Sequence, residues 1–361
     1  MDQQLELEAK RKEVREEILA LKEQTPLTRI LNFFGRGFKN NIFMFWLSNI
    51  IWLHLILFGP WVIIGLIFKE NVKTVIFSKP IIIALEFGIL GFVTSHLVIQ
   101  YILDNIANRI IEKINNSDDL SKFLLWFRKS FSVRNVLVFV LPFCVVWASV
   151  AVVSFSIASH EFVGFGLALT ITLGWLLGAL VCYVPYWVTL LASNLKNYQY
   201  DLNAFSPADS EIIHAISDML TKCIYILAIY FAIATLVASS NLVEQQLKVL
   251  FALPFFLTIW MAITIQFIVT RSTLGKIANG AKWKTLNKLQ TKINSIEATG
   301  DLSDKETSER LLRLVNIHER VVASKTNTFD LKSLSTFVSQ LMLPLLGLLL
   351  GNLDKVIALL R

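Results

Sequence analysis

Six stretches of this chain, roughly 42–68, 80–103, 135–157, 162–193, 223–242 and 249–270, are each long and apolar enough to cross a lipid bilayer. No other feature constrains the fold as much, because hydrocarbon offers no partner to backbone N–H and C=O groups. A stretch of about 20 apolar residues must therefore close its hydrogen bonds within itself, as a helix. A further run, about 333–352, is interrupted by Gln340, Pro344, Gly347 and Gly351. Only 17% of the 361 residues are charged, and the 26 phenylalanines and nine tryptophans suit a bilayer and its interface. The sequence therefore predicts an all-α polytopic membrane protein. Six transmembrane helices form three hairpins, a seventh C-terminal helix inserts in the membrane, and a helical hairpin lies in the cytoplasm.

Orientation follows from the distribution of Lys and Arg. The N-terminal segment carries eight, the successive connections three, six, none, two and one, and residues 271–332 carry twelve. Alternate segments are the richer ones, so both ends of the six-span core are expected in the cytoplasm. No cleavable signal peptide is visible, and the protein reads as integral to the plasma membrane, the inner membrane if the source is bacterial. The organisation expected is a cytoplasmic helix and basic segment (1–41), a six-helix membrane domain (42–270) with cytoplasmic loops 104–134 and 194–222, a basic helical hairpin (271–332), and a membrane-inserted or re-entrant C-terminal helix (333–361).

Helical periodicity continues outside the spans. Leu286, Leu289, Ile293 and Ile296 form a coiled-coil-like seam, and Ser303 and Glu306 in "SDKE" form a capping box before a second helix carrying Leu311, Leu314, Val315 and His318. The N-terminal helix, net acidic over residues 1–24 with seven acids and five bases, is expected as a partner of this basic hairpin. In "FSPADSE", Ser206 and Pro207 are expected to open a short helix. "LSKFLLWFRKSF" alternates bulky and basic residues as a helix lying at the cytoplasmic headgroups would.

No catalytic or phosphate-binding motif is present, so the chain does not read as an enzyme, and no cofactor is expected. Cys144, Cys182 and Cys223 lack metal or redox spacing, and no histidine has a metal partner one turn away. Ionisable and polar residues inside spans are costly and mark functional candidates. Asn49 and His54 lie in the first span. Glu86 and His96 lie in the second, where His96, Gln100 and Asp104 share one face. At 1.5 Å per residue, Asn49 and His96 reach similar depths, so they either meet or face water together. Glu86 either reaches the interface or pairs with Lys79. Gly174 and Gly178 form a GxxxG pair read as helix packing. Lys276, Lys282, Lys284, Lys288 and Lys292 belong to a run free of acidic residues, which suits an anionic ligand or lipid headgroups.

In the C-terminal run, Gln340, Gly347, Gly351 and Asp354 fall on one face, with Thr336 at its start and Phe337, Leu341, Leu345 and Leu348 opposite. Such a face either lines an axis in an oligomer, breaks at Pro344 to re-enter, or packs on a neighbouring helix. Together these features point to an oligomeric ion channel or membrane-permeabilising effector. Its cytoplasmic helices would gate it, with a nucleotide or oligonucleotide as one candidate anionic ligand. Two other classes stay open: a non-conducting scaffold that binds a cytoplasmic protein, and a secondary transporter with breaks at Pro142 and Pro185. The partners expected are the lipid bilayer, further copies of the chain, and a cytoplasmic ligand or protein.

Overall fold

A computed structural model describes residues 2–38, 40–67, 79–159, 165–203, 205–239, 253–299, 305–324 and 331–352. The described residues form an all-helical protein. Its helices are α1 (Asp2–Gln24), α2 (Pro26–Gly35), α3 (Ile42–Ile67), α4 (Lys79–Asn105), α5 (Ser117–Ser130), α6 (Val133–Ser159), α7 (Phe165–Leu195), α8 (Glu211–Ser239), α9 (Leu253–Thr299), α10 (Lys305–Ala323) and α11 (Leu331–Gly351). Six segments are long and apolar enough to cross a membrane: Ile42–Pro60, Gly88–Lys113, Val133–Val153, Ala168–Leu195, Glu211–Leu236 and Leu334–Gly351. The last belongs to the C-terminal run. The expected span at 249–270 begins outside the described residues and continues as the apolar part of α9. That helix is 47 residues long, about 70 Å at 1.5 Å per residue. It carries the chain without a break from its apolar part into the basic part.

Neighbours in sequence are not always the closest neighbours in space. α7 is the hub: α3, α4, α6 and α9 all lean on it, whereas α3 touches α4 only lightly. Of the three expected hairpins, α6 with α7 is extensively packed, and α8 is covered mainly by α11 rather than α9. The reason is local chemistry. Gln266 of α9, buried, donates 2.8 Å to the Pro185 carbonyl of α7, so a side-chain amide in an apolar layer finds a backbone acceptor. On α3 only a narrow strip with Leu53 and Leu57 is buried, while Ile51, Trp52 and Leu55 stay outside.

The fold corrects two cytoplasmic expectations. α5, which contains "LSKFLLWFRKSF", turns its apolar face into the protein: Leu120, Phe123, Leu124 and Phe127 are buried against α1 and the end of α7. Protein covers that face in place of lipid. α1 correspondingly lies along α5 and the end of α4, not along the basic hairpin. Glu17 accepts from Arg128, and Arg11 donates 2.9 Å to the Ile114 carbonyl. Of the acids that suggested α9 as the partner of α1, Glu17 pairs with Arg128 of α5 instead.

The short helix expected in "FSPADSE" is a single 3-10 turn, Pro207–Asp209. α8 opens directly after it at Glu211, twelve residues before the expected span. Asn203 N–H donates 2.8 Å to Ser210 Oγ and closes the turn. α9 and α10 form the expected antiparallel pair, with Leu286, Ile293 and Val321 buried in the seam. Lys282 Nζ donates to the carbonyls of Val322 (2.7 Å) and Ser324 (2.9 Å), holding the C-terminal end of α10 where carbonyls lack helical partners. Ser303 lies outside the described residues.

Residues 113–115 and 199–201 pair as a short backbone bridge, and Asp119, buried, accepts the Gln199 N–H at 2.9 Å. Two tyrosines complete this layer. Tyr200 donates 2.8 Å to the Leu195 carbonyl, and Tyr198 packs edge-on to Phe123. Burial pushes Tyr198 up to about 12 and Tyr200 well above the usual 10. A phenol held neutral in the folded state but free to ionise when unfolded stabilises the fold fully below pH 10. That contribution is lost as pH rises towards the folded value. This layer is therefore expected to loosen between pH 10 and about 12. Tyr198→Phe should resist that transition, as read by melting temperature against pH.

Candidate functional site

The polar residues of the first two spans are gathered by α2, which belongs to the segment ahead of the first span. Thr25 caps α2, accepting from the Thr28 N–H, and Pro26 supplies the fixed φ of the first helical position. The cap turns the chain sharply after α1. α2 then packs Leu27, Thr28 and Leu31 inward, beside α3 and α4. The stripe of α4 meets this corner residue by residue. Asp104 takes the Lys22 ammonium at 2.7 Å. Gln100 Nε2 donates to Thr28 Oγ1 at 3.0 Å and stands 3.3 Å from the Lys22 carbonyl. His96 Nδ1 lies 3.3 Å from the same Thr28 hydroxyl. Thr28 Oγ1 also contacts Thr25 Oγ1 at 2.7 Å, so one hydroxyl pair serves three partners.

Asn49 and His96 do not pair with each other. The Trp46 ring, one turn below Asn49, stands edge-on to His96 at 5.9 Å. Asn49 turns back on its own helix and donates 2.9 Å to the Phe45 carbonyl. Its Oδ1 is buried and without a hydrogen-bond partner among the described residues, as is Ser95 Oγ. Gly35 explains the close seating of α2 on α3: a Cβ there would overlap the Phe45 ring and come within 2.8 Å of Asn49 Nδ2.

Farther along the two spans, His54 Nε2 stands 2.8 Å from Glu86 Oε1, and His54 Nδ1 stands 2.7 Å from the Ile50 carbonyl. Glu86 thus pairs with His54. The side chain of Lys79, its alternative partner, lies outside the described residues. Twelve residues separate His54 from Ile42, the start of the candidate span, about 18 Å along α3. The pair keeps 32% (His54) and 52% (Glu86) of its side chains exposed, on the rim of the bundle. The Phe58 ring stacks over His54.

The C-terminal stripe lies elsewhere, against α8. α11 runs unbroken through Pro344. A Cβ on Gly347 would overlap the Ala232 carbonyl and come within 2.6 Å of Thr235 Oγ1, which in turn stands 3.0 Å from the Pro344 carbonyl. Gln340 is fully buried, its Nε2 3.3 Å from the Thr221 carbonyl. Ser339 touches the Tyr225 hydroxyl and also donates to the Thr336 carbonyl at 2.7 Å. Phe337 stacks on Phe267 of α9 at 4.3 Å. Gly351 is half-buried at the end of the helix, and Asp354 lies outside the described residues. Within one chain the small face of this helix is a packing face.

Gly178 is not a point of close helix approach, because a Cβ there would meet only Trp175 of its own helix, at 3.5 Å. Gly91 is one: a Cβ there would come within 2.5 Å of the Tyr230 hydroxyl of α8.

The basic run divides by role. Lys282 ends α10, and Lys284 donates 2.9 Å to Gln199 Oε1, tying α9 to the loop after α7. Lys276, Lys288 and Lys292 point outward, exposed. On another face of α9, a cleft of about 480 Å³ opens towards α10, walled by Trp283, Asn287, Gln290 and His318. Among the described residues no cluster of His, Cys, Asp and Glu could hold a metal ion, and the three cysteines are free thiols.

Thr25, Thr28 and Lys22 are the site residues that sequence reasoning missed. The signal was present in "TPLT", a cap and first turn immediately before an amphipathic decapeptide. No protein-family model, curated protein or solved structure matches the chain.

Proposed function

We propose that the protein conducts ions across a plasma membrane, with its N-terminus in the cytoplasm, along the polar column of α2, α3 and α4. The observation that carries this reading is the column itself. Polar partners begin at Lys22–Asp104, continue through Gln100, Thr28 and His96, and end at His54–Glu86. Between the two ends, the unpartnered oxygens of Asn49 and Ser95 offer buried sites for water. Helices that needed only to pack would gain more from apolar side chains, since each buried polar group must recover its lost hydration.

The half-exposed His54–Glu86 pair also bears on assembly. A pair able to carry charge does not face hydrocarbon without cost, so a second copy of the chain covers the α3 rim in this reading. Opening is set by the cytoplasmic helices, with an anionic ligand at the exposed Lys276, Lys288 and Lys292 as the trigger.

The test is ion flux through proteoliposomes, with nucleotides and oligonucleotides screened as triggers. Gln100→Leu interrupts the column, and Gln266→Leu removes a buried, hydrogen-bonded amide outside it. Flux that Gln100→Leu abolishes and Gln266→Leu preserves, both variants melting like the wild type, supports the reading. Equal flux in the two variants, or silence of the wild type through the whole screen, removes it.

The α9–α10 cleft favours one second reading, a scaffold that binds a cytoplasmic protein through the exposed Trp283. Loss of a copurifying protein in Trp283→Ala, with flux unchanged, would favour it.

A further inference from the structure

We infer that His54 and Glu86 together form a one-proton binding site at membrane depth, and that the proton is the ion this column carries. The second half of this inference rests on the conduction reading above; the first does not. The argument starts from Nδ1. The Ile50 carbonyl can only accept, so at 2.7 Å Nδ1 must carry a hydrogen. That fixes the state of Nε2. It either bears the second proton and donates to the Glu86 carboxylate, or it is a bare lone pair accepting from a protonated carboxyl. Both descriptions place one proton in the 2.8 Å contact. Remove it, and a nitrogen lone pair faces a carboxylate oxygen with nothing between them.

The occupied site is therefore neutral overall and bonded, whereas the empty site carries one negative charge and its contact is repulsive. In a medium that penalises net charge, that difference makes occupancy and geometry a single event. A proton arriving closes the pair and a proton leaving opens it.

The surroundings suit this role. Phe58 covers one face of the imidazole. The charged groups that α1 and α2 bring against α3 and α4, namely Lys22, Glu23 and Arg29, belong to the opposite end. There Lys22 holds Asp104 and Glu23 accepts from Asn32. On α8, Glu211 (paired with Lys113), His214 and the Asp218–Lys222 pair all lie in its first twelve residues, and the remaining titratable groups of α7 and α8 are thiols and phenols. His96, on the same helix as Glu86, is ten residues away. Within one chain the site is half-exposed at the bundle rim rather than sealed in the core, so a proton can reach it, along the interface once a second copy is seated, without unfolding of the core.

An apolar carbodiimide is the probe, because it reports a protonated carboxyl in hydrocarbon. The carboxyl proton passes to a carbodiimide nitrogen, and the carboxylate oxygen bonds to the central carbon, so the adduct is the sum of the two reactants. In the full-length protein in lipid vesicles, mass spectrometry should find the adduct on Glu86, with a labelling rate that falls about tenfold per pH unit above a single midpoint. Glu86→Gln should remove the adduct. His54→Phe should shift the midpoint by about one pH unit or more, since the carboxyl then titrates without its partner.

A Glu86 that stays unlabelled at every pH, or a midpoint that His54→Phe leaves in place, overturns the proton site. Should His54→Phe fail to fold, His54→Gln serves, and it must also move the midpoint. Proton and potassium fluxes are then compared in the same vesicles. Proton flux that Glu86→Gln abolishes supports the assignment of the carried ion. Potassium flux without proton flux overturns that assignment and leaves the conduction reading standing. A site that titrates in vesicles showing no flux of either ion overturns the carried-ion half together with the conduction reading, and the proton site stands alone.

Discussion

Gly347→Leu is expected to unseat the C-terminal helix and lower the melting temperature sharply, whereas Gln340→Leu should leave it nearly unchanged. The contrast comes from what each side chain meets. Even a single carbon on Gly347 would overlap the backbone carbonyl of Ala232, and a backbone carbonyl cannot rotate away as a flexible side chain can. Overpacking costs about 1–3 kcal/mol where neighbours can shift, and four added carbons against a fixed strand of helix should reach or exceed the top of that range. Gln340 is different. Its amide nitrogen makes one long bond to Thr221, and its buried Oε1 has no partner among the described residues. Replacing it with leucine gives up about 1 kcal/mol of hydrogen bond and relieves an unsatisfied group of similar cost, so the two changes offset within about 1 kcal/mol. The free thiols of Cys144 and Cys223, both buried, make maleimide labelling during heating a direct readout. If the helix instead lined a water-filled axis, Gly347→Leu would fold normally and block flux. Normal melting of that variant would sink the packing account.

The same helix shows where sequence reasoning stops. A wheel identifies that Gln340, Gly347 and Gly351 share a face, because that is a property of one helix. It cannot say what the face meets, because a pore axis and a close-packed neighbour both demand small residues. The partner, Ala232 and Thr235 on α8, lies more than a hundred residues away, and nothing in the periodicity of either segment names the other. The stripe of His96, Gln100 and Asp104 was legible for the same reason, and its partners on α1 and α2 were not. Span placement fared better, since backbone satisfaction in hydrocarbon is a local requirement that each apolar stretch must meet alone. Amphipathic helices outside the spans were the opposite case. α5 has the composition of a headgroup-bound helix, yet its apolar face found Trp187 and Tyr198 first. Composition reports that a face must be covered, not by what.

Trp187→Ala should cost about 3–5 kcal/mol, the range for deleting a fully buried large side chain, and the damage should fall on one seam. Trp187 sits in the C-terminal third of α7, and its ring meets Phe131 at 4.8 Å, Phe127 at 5.9 Å and Trp126 at 6.5 Å. These three rings belong to α5 and the turn that follows it, so one indole ties α5 to the hub of the helix bundle. Tyr183, one turn earlier, adds a bond of 2.6 Å to the Ser130 carbonyl. Trp187→Phe provides the control. It keeps an aromatic ring against the same neighbours and removes an indole N–H that is buried without a partner among the described residues. The lost volume and the relieved N–H act in opposite directions, and the net loss should be about 1 kcal/mol. Chemical denaturation in detergent measures both. Similar losses in the two variants would mean that ring contact at this seam contributes little.

In the conduction reading the seam also bears on gating, since a signal from α1 and α5 to the column of α3 and α4 can pass through it, through the Thr25–Thr28 corner, or through the direct contact of α1 with α4 at Lys22–Asp104. If the corner carries the signal, Trp187→Phe should leave triggered flux intact. In that case Thr28→Val, which keeps the shape of the corner and removes the hydroxyl that serves Gln100 and His96, should uncouple the trigger from the flux.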